Sequence, residues 1–313
     1  MSLIEQAAKR LEQLRQAGVE LPEDKPQLKP APESHPSPIT DSFQGEPSPS
    51  RQADTTISSA PPHPRGKRVD LNLEAIAASG LLVPHATRSQ LADEYRVIKR
   101  PLIANAMGRS ATQITNGNLI MITSALPGEG KSFTAINLAI SIAMELDNTV
   151  MLVDADVARP SILNMLGLPP APGLLDVVDN NSVDISSVLM RTNIDKLSIL
   201  PSGTQHPRAT ELLASDAMVR LLDDMSRRYS DRIIIFDSPP LLLTTEARAL
   251  ATHMGQVVMV VNAAQTTQAA VKQAVSTIDA CPVKMMVLNQ SRQTAGDGYG
   301  YGYGYGYGYG NES

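Results

Sequence analysis

From Asn118 onward, six short apolar runs recur between helix-length segments: LIMITSA, TVMLVDAD, KLSILPSG, DRIIIFDSPP, GQVVMVVN and VKMMVLNQ. Their apolar character is continuous rather than alternating, so both faces of each strand must be covered. A parallel sheet with helices on both sides provides that cover. The folded unit is expected to be one α/β domain with a doubly wound, mostly parallel sheet, spanning residues 69–290. In such sheets ligands sit outside the carboxyl ends of the strands, so the chemistry is expected there.

The ends of the chain have a different character. At the start, Ser2 and Glu5 form a capping box and Leu3, Ala7, Leu11 and Leu14 share a face, which predicts a short amphipathic helix over 1–18 closed by Gly18. It is either a docking element or a helix that frays alone, since about 15 residues is marginal in water. Residues 19–68 are crowded with Pro, Ser and charges and carry no hydrophobic period, which predicts a disordered linker. Residues 291–313 hold six of the eight tyrosines, alternating with glycine in YGYGYGYGYGYG. Glycine between tyrosines keeps such a segment extended and mobile. As an aromatic low-complexity stretch, it could also serve as an adhesive element.

Net charge of −5 and a pI near 5.6 exclude nucleic acid as the main partner. The single cysteine, Cys281, and an N-terminus without an apolar signal core point to the cytosol. No run reaches the roughly 18 apolar residues of a membrane span, so any membrane role is expected to come through a partner.

After LIMITS comes ALPGEGKSFTAINLA, a phosphate-binding loop with Ala125 where the usual pattern has its first glycine. Pro127, Gly128, Glu129, Gly130, Lys131, Ser132 and Phe133 form the expected nucleotide contact. Gly128 and Gly130 would turn backbone N–H groups toward phosphate oxygens, Lys131 would reach the β and γ phosphates, and Ser132 would hold Mg²⁺. Three carboxylates, Asp154, Asp156 and Asp237, end strands on that same edge, where they can hold Mg²⁺ or accept a proton.

PGEGKS, VDADVARP, IIIFDSPP and the tyrosine cluster together resemble the bacterial tyrosine kinases of exopolysaccharide biosynthesis. These are P-loop NTPases of the partition-ATPase-like fold. The stretch LADEYRVIKRPLIANA with the tail is similar to the autokinases associated with exosortase loci. The resemblance implies ATP and Mg²⁺ as cofactors, with Ser132, Asp156 and Asp237 in the metal shell and Asp154 as base for the incoming tyrosine hydroxyl. Asn289 would read the adenine or form a structural turn. Tyr299, Tyr301, Tyr303, Tyr305, Tyr307 and Tyr309 would be phosphorylated in trans within a homo-oligomeric ring. The implied partners are the cytosolic segment of a membrane chain-length regulator, which would bring the chain to the inner face of the membrane, and a cognate tyrosine phosphatase.

Two departures stand out. The family pattern Asp-x-Asp-x-Arg meets Ala158, with Arg159 one residue later. The family's ring-forming helix Glu-x-x-Arg-x-x-Arg is matched by Asp93, Arg96 and Lys99, and Lys lacks the planar fork of Arg. The competing class is a switch ATPase of the partition or septum type. Those enzymes carry a lysine near the start of the loop, where this chain has Leu126. An ATP-binding scaffold without catalysis is the third possibility.

Overall fold

The chain divides into two units, Met1–Ser58 and Ser59–Ser313. The computed structural model describes residues 66–85, 89–180, 182–229 and 231–291, all within the second unit. The expected N-terminal helix, the linker up to residue 65 and the tyrosines of the tail lie outside the described residues.

Helices α1 (Leu73–Ala78) and α2 (Gln90–Ala106) lead into β1 (Leu119–Ser124), and α3 (Lys131–Ala143) crosses to β2 (Thr149–Asp154). Three short helices follow, α4 (Ile162–Met165), α5 (Leu174–Asp179) and α6 (Ile185–Val188), then β3 (Met190–Arg191) and β4 (Leu197–Leu200). The rest of the fold is α7 (Ala209–Leu213), α8 (Asp216–Arg228), β5 (Arg232–Asp237), α9 (Thr245–Ala251), β6 (Gln256–Asn262), α10 (Gln268–Ser276) and β7 (Val283–Asn289).

Seven strands form one sheet in the order β3-β4-β2-β5-β1-β6-β7. Every neighbouring pair is parallel except β3 with β4. The expected doubly wound architecture is therefore present, with the antiparallel β3 as an addition that its two residues were too short to announce. Outside β3, Arg68 makes an isolated bridge to Arg191, and Val69 N–H donates to Arg191 O at 2.8 Å. Pairing thus begins just inside the segment read as linker.

Strand side chains alternate between two cores. Met121, Met151, Val153, Ile234, Phe236 and Met259 pack on the side of α8, α9 and α10. Ile120, Ile122, Val150, Leu152, Ile235 and Val258 pack against α3 and the α1–α2 region. Helix α3 is buried on every side from Thr134 to Ala143, which explains its apolar run AINLAISIA. At the sheet's edge, β7 alternates between half-buried and exposed residues, and Met286 and Leu288 face outward. Its apolar sequence had suggested full cover; an edge strand lacks a neighbour on one side.

Helix α2 begins at Ser89, whose side chain accepts from Ala92 N–H at 3.1 Å. It runs through Pro101 and is pinned to the sheet by a fully buried polar residue. Gln256 Nε2 donates to Leu102 O at 3.1 Å and Gly117 O at 2.7 Å, while its Oε1 accepts from Asn105 Nδ2 at 2.9 Å. Gln256→Leu strands these groups without partners, each costing on the order of 1–3 kcal/mol. The expected outcome is a lower urea midpoint with unchanged m-value, read by circular dichroism.

Candidate active site

The phosphate loop leaves β1 at the sheet's centre and enters α3 at Gly130. Gly128 (φ 80°) and Gly130 (φ 95°) both occupy the left-handed region. At Gly130 a Cβ would also fall 2.1 Å from Asn289 Nδ2, so a side chain there would displace the Asn289 amide. No side chain caps α3, so the first N–H groups of the helix are left available to an anion.

Glu129 holds this loop from beneath. Its buried carboxylate accepts from Leu126 N–H at 2.6 Å, from the Thr266 hydroxyl and, at 3.5 Å, from Asn262 N–H. The side chain is therefore a brace, and only the main chain of Glu129 is left to meet a phosphate. Thr266 and Asn262, at the end of β6, were not anticipated. No motif marks them, because the contact spans more than a hundred residues of sequence.

Asp154 and Asp237 stand in register on adjacent strands β2 and β5, and Asp156 lies two residues beyond. All three are buried. Lys131 Nζ donates to Asp156 Oδ2 at 2.6 Å, and Asp156 Oδ1 accepts from Arg159 N–H at 3.2 Å. Asp154 Oδ2 accepts from Ser161 and Ile162 N–H, both at 3.1 Å. Ser161 also donates to the Ser132 hydroxyl oxygen at 2.9 Å. Asp154 Oδ1 and both oxygens of Asp237 are buried without a hydrogen-bond partner.

Burial, followed by the charge of Asp237, pushes the Asp154 carboxyl up to about 7. Burial pushes Asp237 up to about 6, against the pull of the Lys131 charge and the nearby Ser132 hydroxyl. Burial works against the Lys131 ammonium as well, yet the carboxylates of Asp237, Asp156 and Asp154 outweigh it and raise its pKa. Among the described residues the three buried carboxylates thus share the Lys131 ammonium, an arrangement that suits a further cation.

Among the described residues, no three His, Cys, Asp or Glu side chains form a self-sufficient metal cage. That suits Mg²⁺, which takes one or two carboxylates and completes its shell with phosphate oxygens and water. Ser132 and the unpartnered oxygens of Asp237 are chemically fitted to it, with Asp156 beside them. In front of the cluster opens a cavity of about 600 Å³, lined by the loop, Asp156, Ala158 and Arg159, with an apolar wall that includes Phe133, Met165, Pro239 and Leu243. Despite its one-residue displacement, the arginine therefore still lines this cavity.

Residues 117–290 match the family model described as AAA domain. Tyrosine-protein kinase YwqD of Bacillus subtilis is 29% identical over 222 residues, covering 71% of this chain and 86% of YwqD. Tyrosine-protein kinase wzc of Salmonella typhimurium is 31% identical over 55% of this chain, a match that spans only 24% of wzc. Among solved structures, the chimerical protein CapA2B2 aligns with a TM-score of 0.56 at 26% identity, over 72% of this chain and 93% of that one. The kinase domain of the Escherichia coli tyrosine kinase ETK aligns with a TM-score of 0.53 at 27% identity, over 60% and 73%.

The chain belongs to the AAA-domain family, among its bacterial tyrosine kinases. Measured against that family's ring-forming helix pattern, α2 requires a correction. Asp93 and Arg96 are exposed and pair with each other. Lys99, expected at a subunit interface, is buried: its Nζ donates to Ser141 O and to Glu145 Oε1, both at 2.6 Å. The flexible ammonium reaches the end of α3 and ties two helices of the same chain together, so it is not free to meet a neighbour.

Asn289 ends β7 and donates from Nδ2 to Glu129 O at 2.9 Å, joining the last strand to the kinase family's phosphate loop. Since β7 runs parallel to β6, the chain leaves the sheet on the same edge as the acid cluster. Glu129→Ala removes the brace for Leu126, Asn262 and Thr266 while leaving Lys131 and Ser132 in place. A loss of ATP affinity of about tenfold or more is expected by isothermal titration calorimetry, the cost of a misplaced phosphate cradle.

Proposed function

We propose that this chain is an ATP-dependent protein-tyrosine autokinase. Its acceptors are Tyr299, Tyr301, Tyr303, Tyr305, Tyr307 and Tyr309 of a neighbouring copy. The observation that carries this reading is positional: the buried cluster of Lys131, Asp154, Asp156 and Asp237 lies on the sheet edge where β7 hands the chain over to the Tyr-Gly segment. A phosphate cradle and a proton acceptor thus lie on the edge from which the chain continues toward the tyrosines of its sequence.

In this reading Lys131 and the N–H groups at the start of α3 hold the β and γ phosphates of ATP. Ser132, Asp156 and Asp237 hold Mg²⁺, which when bound neutralises phosphate charge. Phe133 and the apolar wall shield the phosphates from water. The phenolic oxygen forms a bond to the γ phosphorus, and the bond from that phosphorus to the β–γ bridging oxygen breaks with its electron pair staying on ADP. Asp154 takes the phenolic proton, a role suited to a carboxyl pushed up to about 7 by burial.

The wider role proposed is control of exopolysaccharide polymerisation and export. The chain would act with the cytosolic segment of a membrane chain-length regulator, which recruits it to the inner face of the membrane, and with a cognate tyrosine phosphatase. No helix among the described residues is long and apolar enough to cross a membrane, which is consistent with recruitment by a partner. Head-to-tail contact between like copies would close a ring and present each tail to the next site. Asp93 and Arg96 on the exposed face of α2 are the proposed contributors.

Incubation of the purified chain with ATP and Mg²⁺, followed by mass-spectrometric mapping, is expected to place phosphate on the six tail tyrosines and none in Lys131→Met. Mixing full-length Lys131→Met with an active chain truncated after Gly298 separates trans from cis transfer; phosphotyrosine on the Lys131→Met tail is the expected outcome. ATP hydrolysis without tail phosphate, even with a regulator segment added, would place the chain among switch ATPases.

Each phosphate adds about −1.5 to −2 charges, so a fully modified tail carries on the order of ten negative charges. Size-exclusion chromatography is expected to show phosphorylated rings dissociating. Tight rings that survive full phosphorylation contradict that expectation.

A further inference from the structure

A separate cavity, of about 490 Å³, opens at the amino ends of the strands, the edge opposite the acid cluster, and shares no lining residue with the nucleotide cavity. Thr149, Leu197 and Arg232, the first residues of β2, β4 and β5, line it. A strand of six residues such as β5 separates the two edges by roughly 20 Å.

Strand register gathers basic side chains on one face of the sheet here. Arg232 is opposite Thr149, Met151 is opposite Ser198, and Ser198 is opposite Arg191. Thr149 and Met151 lie two apart on β2, so Arg232, Thr149, Ser198 and Arg191 project to one side, the side on which Met151 packs with α8. On that side Asp184 and Ser186 at the start of α6, and Arg228 and Tyr229 at the end of α8, form the walls.

Charge in the cavity is unevenly matched. Arg191, Lys196, Arg228 and Arg232 line it against Asp184 and Asp195, in a chain whose net charge is −5. Arg228 stands 3.9 Å from Asp184 and 3.6 Å from Asp224, in loose, half-exposed pairs. Lys196 Nζ donates to the main-chain oxygens of Glu145 and Leu146, at 2.8 and 2.6 Å, which leaves its charge unneutralised by them. Among the described residues, the Arg191 and Arg232 guanidinium groups have no hydrogen bond and no ion pair; Arg232 lies over the Tyr229 ring, 4.9 Å from its centroid.

Guanidinium forks bind phosphate oxygens in pairs, and an aromatic ring stacks on a guanidinium plane. Leu189 and Ile194 add apolar lining. A long polyanion fits poorly, because Asp184, Asp195 and the exposed Asp231 beside Arg232 repel further phosphates. The cavity therefore suits one phosphoryl group carried on an aromatic body.

We infer that this cavity is a phosphate-ester site and that its ligand is a phosphotyrosine flanked by glycine, with Arg191 and Arg232 binding the phosphoryl group. The choice of phosphotyrosine rests on the autokinase reading, whose product it is. Tyr309 follows Ser291 by 18 residues, which fully extended reach roughly 60 Å, enough to pass from one edge of the sheet to the other. A modified tail bound there is withdrawn from the edge where transfer occurs.

Fluorescence anisotropy of a labelled synthetic peptide, Gly-pTyr-Gly-Tyr-Gly, on the full dephosphorylated chain tests this. A non-hydrolysable ATP analogue with Mg²⁺ keeps the phosphate loop filled. Saturable binding is expected, about tenfold or more weaker for the unphosphorylated peptide and about tenfold weaker in Arg191→Gln. Arg191 is exposed, so its replacement spares the core. Arg232→Lys, which keeps the charge and loses the fork, is expected to weaken binding as well, and Lys272→Gln, exposed on α10 outside the cavity, to leave it unchanged. Equal binding of the two peptides, undiminished binding in Arg191→Gln, or displacement by inorganic phosphate or AMP as effective as by unlabelled phosphopeptide each overturns the proposal. A chain that binds the phosphopeptide through Arg191 but never phosphorylates its own tail sinks the autokinase reading and leaves the site intact; a chain that phosphorylates its tail but does not bind the phosphopeptide does the reverse.

Discussion

Asp154 and Asp237 stand in register on neighbouring parallel strands, both buried, with Asp156 next to them and, among the described residues, the Lys131 ammonium paired to it. Like charges this close in a dry site raise each other's pKa and leave a demand for positive charge that the protein meets only in part. The burial pushing Asp154 to about 7 and Asp237 to about 6 expresses that demand. Phosphates alone would aggravate it; phosphates arriving with a divalent cation relieve it. Under the proposed function the site thus takes a metal–nucleotide complex rather than a bare anion.

Such a cluster survives only on a rigid support. Glu129 ties the loop to β6 through Thr266 and Asn262, and Asn289 ties it to β7. Both ties approach the loop from the side of the sheet that carries the chain toward its tail. On the other side of the cluster, Asp154 anchors the start of α4 through two backbone N–H groups.

Much of this was readable from local pattern. Continuous apolar runs imply strands covered on both faces. PGEGKS implies a loop whose glycines must turn backward, and a strand ending in Asp places a carboxylate on the ligand edge. These inferences work because each depends on a few adjacent residues. Lys99 was misread for the opposite reason. On a helix surface it looks like the third member of a charged stripe, yet its ammonium is claimed by Ser141 and Glu145, some forty residues later. The side-chain direction of Glu129 and the antiparallel β3 were likewise invisible, since each is made by segments distant in sequence.

Residue order by itself determined the layered α/β class, the phosphate loop, the three acids and the alternating Tyr-Gly segment, because strand periodicity and glycine geometry are properties of neighbouring residues. Only the tertiary structure decided which oxygens remain without partners, that Lys99 faces inward, that β7 delivers the chain to the edge bearing the acids, and that a cavity opens in front of the acid cluster. Those facts depend on strand order and on packing between remote segments, where burial and the competition for hydrogen bonds are settled.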